Sequence, residues 1–331
     1  VLARVVDRRG QTVVLRAGAL VEAGSILALA LLPADAPFAA IVAAAALVGL
    51  GQPPVGACMR ALWQELLEGD VGRHTAYSLE GVVTEVVYMA GPVVIVGGIG
   101  SWSLRAALAF CAATVVAGNA AFSLHPASRG WRPQRDAAPG LAGALRGRGV
   151  RVLLAVFLLA GLGLGAVEVA VPAALDAMGR RNLTGLLFGL WSIGSMLAGF
   201  AVGRVGPGRD APRRLAILLA GWGAAHAAVG LAGSTAMLAL LLLVAGLSIT
   251  PTFVSANGML DELAPRGTLT EAFTWLSTGL TGGLAIGSAL GGVITEAASP
   301  GAAMVVLGAG GFVAAALVGL TARGALRPAI A

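Results

Sequence analysis

Three carboxylates stand inside stretches that are otherwise apolar: Glu80 and Glu85 within residues 75–98, and Glu168 within residues 150–171. Charge held at that depth in an apolar solvent is costly and marks a working group by default. A carboxyl there can take up and release a proton, so the chemistry on offer is proton carriage. Glu85 lies about ten residues into its stretch, or ~15 Å along a helix, whereas Glu80 is nearer one end. The two are about 140° apart around a helix and form no paired site, while Glu85 shares a face with Tyr88. Polar and aromatic residues on the other stretches that could line a cavity are Gln52, Trp191, Ser192, Thr250, Asn257 and Trp275. Aromatic faces with few fixed charges suit amphiphilic or weakly cationic solutes, although tryptophan at such positions also serves for packing. Glu22 and His226, also at depth, read as helix-to-helix ties.

The elements that must hold these groups follow from composition. Of 331 residues, 57% are hydrophobic and 11% charged, against roughly a quarter charged in a soluble domain. The 49 glycines suit helices packed closely in lipid. About ten stretches are long enough to cross ~30 Å of hydrocarbon: 11–32, 38–60, 75–98, 102–124, 150–171, 183–204, 215–233, 236–260, 270–295 and 302–321. Helices are the open-ended solution there, since each unpaired backbone group in lipid costs several kcal/mol. The expected fold is an all-α membrane protein.

All 22 basic residues are arginine. Without lysine there is no phosphate-binding P-loop and no Schiff base. Arg4, Arg8, Arg9, Arg60, Arg73, the run from Arg129 to Arg151, Arg204, Arg209, Arg213, Arg214, Arg266, Arg323 and Arg327 fall on one set of connections; the alternate set holds only Arg105, Arg180 and Arg181. That asymmetry places the first set in the cytoplasm and explains the charge of +6 better than nucleic acid does. Cys58 and Cys111 lie in apolar stretches and suggest no disulfide framework. Neither His-Glu-x-x-His nor Gly-x-Ser-x-Gly occurs, so an enzyme is not expected, nor a metal or cofactor.

The chain repeats itself. The opening run from Arg4 to Leu15 matches Arg204 to Leu215; Gly49-Leu50 matches Gly246-Leu247; Pro54 matches Pro251; Glu65-Leu66 matches Glu262-Leu263; Thr75-Ala76-Tyr77-Ser78 matches Glu271-Ala272-Phe273-Thr274; and Gly91-Pro92 matches Gly287-Ser288. Ordered matches at a nearly constant offset imply parallel repeats. They divide the chain into a first bundle, 1–124, a cytoplasmic connection from His125 to Gly149, and a second bundle, 150–331. The second has six apolar stretches and the first has four, starting at the repeated charged run, so two helices are expected ahead of it.

Six plus six helices, a cytoplasmic connection and a charged loop between the second and third helix of each half resemble the major facilitator superfamily. That family's loop reads Gly-x-x-x-Asp-Arg-x-Gly followed by two basic residues. Asp7, Arg8 and Gly10 match it, Ala3 replaces the first glycine, and Gln11 and Thr12 replace the basic pair. The resemblance implies ten of twelve helices and a cytoplasmic latch carried by Asp7 and Arg8, with Gly10 and the repeat-related Arg204. Asp7 can accept hydrogen bonds from a neighbouring helix N-terminus while Arg8 pairs with a carboxylate or a helix C-terminus. Gly91-Pro92 is similar to the Gly-Pro pair in the fifth helix of the family's proton antiporters, and Gly287 stands at the related point of the eleventh; with Pro54 and Pro251 these are the expected bending points. The resemblance also puts Glu168 on a cavity-lining helix. What it implies is secondary transport of a small molecule by alternating access, with proton-coupled efflux across a bacterial plasma membrane as the leading form. The partners are then lipid, substrate and protons, and the protein is a monomer. Uptake, facilitated passage, or a non-transporting sensor or assembly protein on the same fold are the alternatives.

Overall fold

A computed structural model describes residues 2–33, 35–132, 143–206 and 210–326. The middle of the expected connection, 133–142, and the expected cytoplasmic C-terminus, 327–331, lie outside the described residues, as do 207–209 of the second charged run. The structure is helical, with no strand among the described residues. In chain order the helices are α1 (Leu2–Arg9), α2 (Gln11–Leu31), α3 (Phe38–Gly51), α4 (Val55–Leu66), α5 (Gly69–Pro92), α6 (Leu104–Leu124), α7 (Pro126–Gly130), α8 (Arg148–Ala177), α9 (Thr184–Val205), α10 (Ala211–Val229), α11 (Thr235–Gly246), α12 (Ile249–Leu263), α13 (Leu269–Ala297), α14 (Pro300–Gly308) and α15 (Gly310–Thr321).

Eight helical runs among the described residues are long and apolar enough to cross a bilayer: Gln11–Leu31, Phe38–Leu66, Leu104–Leu124, Arg148–Ala177, Arg181–Val205, Thr235–Leu263, Leu269–Ala297 and Pro300–Thr321. The other two expected spans are helical as well. One is α5, which carries Asp70, Arg73, Glu80 and Glu85; the other is α10, which opens with Arg213 and Arg214. This is a multi-pass membrane protein.

Each repeat carries a helix break near its matched proline. Pro53 and Pro54 separate α3 from α4, since proline supplies no N–H to continue the helical ladder. The matching break, between α11 and α12, falls at Leu247 and Ser248, just ahead of Pro251. At Gly91-Pro92 the α5 ladder gives way to a π-helix over Val93–Gly100, a wider winding that often marks working sites. Gly287 behaves differently from the expected bend. α13 runs through it without a break, and a Cβ there would meet the Leu162 backbone of α8. Gly279, Gly283 and Gly287 recur every four residues, each against the carbonyl of Leu154, Leu158 or Leu162. The stripe exists so that two helix backbones can touch, which is how helices associate in lipid without a hydrophobic driving force.

The described residues form two compact units. One comprises residues 1–66, 90–143 and 266–271. In it α2 packs on α3 and α6, and Val6, Leu15, Cys58, Leu62 and Trp131 make a small core beneath α1. The other comprises residues 67–89, 144–265 and 272–331. Its core joins Leu175, Leu187, Leu238, Leu242 and Met304, and an aromatic group in which Trp222 stacks on His226 at 4.5 Å and Trp191 meets His226 edge-on at 6.0 Å.

Candidate functional site

The opening charged run, expected as a loop, is the helix α1, and it ends where Gly10 takes a φ of 96°. Only glycine adopts that backbone readily, so the turn into α2 depends on it. Asp7, 4% exposed, points from α1 to the start of α13. Its carboxylate accepts from the backbone N–H groups of Thr270 at 3.2 Å and Glu271 at 2.8 Å. The first N–H groups of a helix have no partner within it and carry partial positive charge, so an anion there is stabilised.

The arginine that completes the contact is Arg4. Its guanidinium donates through Nε at 3.2 Å and through a terminal nitrogen at 2.5 Å to the two oxygens of Glu271, a forked pairing that only arginine makes. Arg8 is exposed in the last turn of α1, and Arg204 is exposed in the last turn of α9. The expected carboxylate partner of Arg8 thus belongs to Arg4, three residues from Asp7 and on its side of the helix. Arg8 lies about 100° round from Asp7. Glu271, which reads as an interfacial charge in the sequence, is buried.

Burial is the largest influence on the Asp7 carboxyl and pushes it up to about 6 from the ordinary 3.8, against the lowering effect of the hydrogen bonds from Thr270 and Glu271. The docked carboxyl therefore binds a proton more readily than a released one. Docking is favoured as pH falls through about 6 and weakened as pH rises past it. Amide exchange at the first turn of α13, corrected for intrinsic rates, is expected to be slower at pH 5 than at pH 7.5. In Asp7→Asn that difference disappears. A pH dependence that survives Asp7→Asn places the titrating group elsewhere.

At membrane depth a second set of groups converges. Ser192 and Ser195 of α9 lie close to the Glu85 side chain of α5. Ser195 is fully buried and 2.8 Å from the Thr250 hydroxyl of α12. Thr250 also presses on α5, where a Cβ at Gly81 would overlap its methyl group. Tyr88, one turn beyond Glu85, has Glu168 of α8 and Glu85 within electrostatic reach. The carboxylates thus share a neighbourhood although they sit on different helices. Glu168 and Tyr88 are exposed side chains, while Glu85 is half-buried.

The remaining candidates separate. Trp191 packs with Phe188 and His226, and Asn257 is buried in α12. Gln52 is exposed at the break between α3 and α4, and Trp275 is half-buried on α13. Glu80 is half-buried one turn and a half before Glu85. A further contact at the start of α5 has no counterpart among the expected sites: the Tyr77 hydroxyl is 2.7 Å from both oxygens of Asp261, and Ser78 donates to the Gly199 carbonyl at 2.6 Å. Sequence reading passes over Arg4, Thr270, Ser195 and Tyr77. The signal available for Arg4 is its three-residue spacing from Asp7 once the run is taken as helix.

No protein-family model matches the chain, and no curated protein sequence does. Solved structures do. The human organic anion transporter MFSD10 (TETRAN) superposes with a TM-score of 0.72 at 18% identity, over 96% of this chain and 79% of that one. A bacterial homologue of the iron transporter ferroportin, in its outward-facing state, gives 0.68 at 17% identity, over 96% and 84%. The chain shares the fold of these two structures.

Proposed function

We propose that this protein is a secondary transporter that moves a small solute through a multi-pass bundle by alternating access, coupled to protons and working outward. The observation that carries the reading is the half-buried Glu85 carboxyl, beside Ser192 and Ser195, with Tyr88 and Glu168 in its neighbourhood. Glu85 and Glu168 carry the proton, and Glu80 feeds it from the cytoplasmic end. The fixed charges of the site are negative, so an amphiphilic or weakly cationic solute fits better than an anion, even though one structural neighbour is an organic anion transporter and the other resembles an iron transporter. Export is supported by the Gly91-Pro92 pair and the π-helix that follows it. On this reading the halves are 1–124 and 150–331, and the contact of Asp7 and Arg4 with the start of α13 is a cytoplasmic latch in a plasma membrane.

The test is movement in sealed vesicles carrying an imposed pH difference. Three probes are compared: a lipophilic organic cation, a fluorescent organic anion and ferrous iron. The expected result is gradient-driven movement of the cation. Movement of the anion or the iron alone overturns the substrate class, and movement of none of them favours a non-transporting role.

A further inference from the structure

We infer that Gly143, at the end of the cytoplasmic connection, is a positioning residue for the Arg4–Glu271 pair; its role in gating rests on the latch reading above. Gly143 opens the short 3-10 turn Gly143–Arg146 with a φ of 43°. A Cβ built on it falls 2.5 Å from Glu271 Oε1 and 2.7 Å from its carboxyl carbon, and closer still to Oε2. The carboxylate therefore lies directly against the Gly143 backbone. Arg4 holds its oxygens, and its own main-chain N–H is tied to Asp7. Glu271 is 5% exposed, so it has little room to retreat. Any side chain at 143 must push the carboxylate out of the fork of Arg4. Gly143 is thus built into the contact that secures α1.

The native thiols report the outcome. Cys58 is fully buried in the core beneath α1 with Val6 and Leu15, so loosening α1 uncovers it. Cys111 is the chain's other cysteine. The experiment uses the full chain in lipid nanodiscs with Cys111→Ala, and measures the rate at which a bulky hydrophilic maleimide labels Cys58. Gly143→Ala and Gly143→Asn are each expected to speed labelling about tenfold, as Arg4→Ala does, and Gly143→Ala adds nothing on top of Arg4→Ala. Asparagine tolerates the left-handed backbone, so it separates contact from strain. An effect of alanine without one of asparagine overturns the inference in favour of backbone strain. Normal labelling in both, with fast labelling in Arg4→Ala, overturns it outright. If Arg4→Ala is also silent, the latch reading falls and this inference with it. Should Gly143→Ala fold poorly, Glu271→Ala supplies the second readout. It removes the group that the new methyl strikes, so the paired variant regains folded yield, and failure to regain it counts against the contact.

Discussion

On the proposed function, Glu85→Gln is expected to abolish proton-driven solute movement and to leave the fold intact. Glutamine keeps the shape of the side chain and an oxygen that can accept from the nearby serines Ser192 and Ser195, so the packing around it persists. What it loses is the ability to bind and release a proton. If that proton couples the gradient to the solute, the gradient-driven rate falls by about a hundredfold or more, the scale of removing a group that transfers protons. Exchange of solute with no gradient is expected to fall far less. Glu168→Gln should be milder than Glu85→Gln, because Glu168 is exposed whereas Glu85 is half-buried. Ser195→Ala should fall between wild type and Glu85→Gln, since it takes a hydroxyl from beside Glu85 and leaves the Thr250 hydroxyl without its Ser195 partner. Gradient-driven movement at the wild-type rate in Glu85→Gln ends the proposal that this carboxylate is the carrier.

Gly283→Leu collapses the packing of α13 on α8, and Gly282→Leu, one residue away, does not. A Cβ at Gly283 strikes the Leu158 carbonyl, and backbone cannot swing aside as a flexible side chain does. At Gly282 nothing lies within 4 Å, so leucine enters open space and even improves helix propensity. Forcing a side chain into close-packed helices costs about 1–3 kcal/mol where side chains give way, and more where the obstacle is main chain. Several kcal/mol correspond to a fall in melting temperature on the order of 10 °C. Thermal unfolding in detergent, followed by the yield of monodisperse protein, reads the difference. Equal melting temperatures for the two leucine variants show that α8 and α13 do not depend on the stripe.

Much of the architecture is legible without coordinates because lipid restricts what a chain can be. Residues 11–32 and 302–321 must be helices since nothing else satisfies their backbone in hydrocarbon, and the recurrence of Pro54 at Pro251 announces a break in both repeats that the structure has. The candidate site was less legible. The sequence places Glu85 and Glu168 at depth, but periodicity gives only the face of a helix, never which helix it meets. The meeting of Glu85 with Ser192 and Ser195 comes from tertiary packing. So does the placing of Trp191 against His226, where an aromatic that could line a cavity is spent on the core.

What the amino-acid sequence determined by itself is the solvent, the helices, the repeated plan and the presence of costly carboxylates, because each is a consequence of composition and spacing within one segment. What only the tertiary structure decided is partnership. Arg4 rather than Arg8 reaches Glu271, Gly287 serves contact rather than bending, and Gly143 closes over a carboxylate 128 positions away. Such contacts join residues far apart in the chain, and their energy depends on distance in space, which spacing along the sequence does not encode.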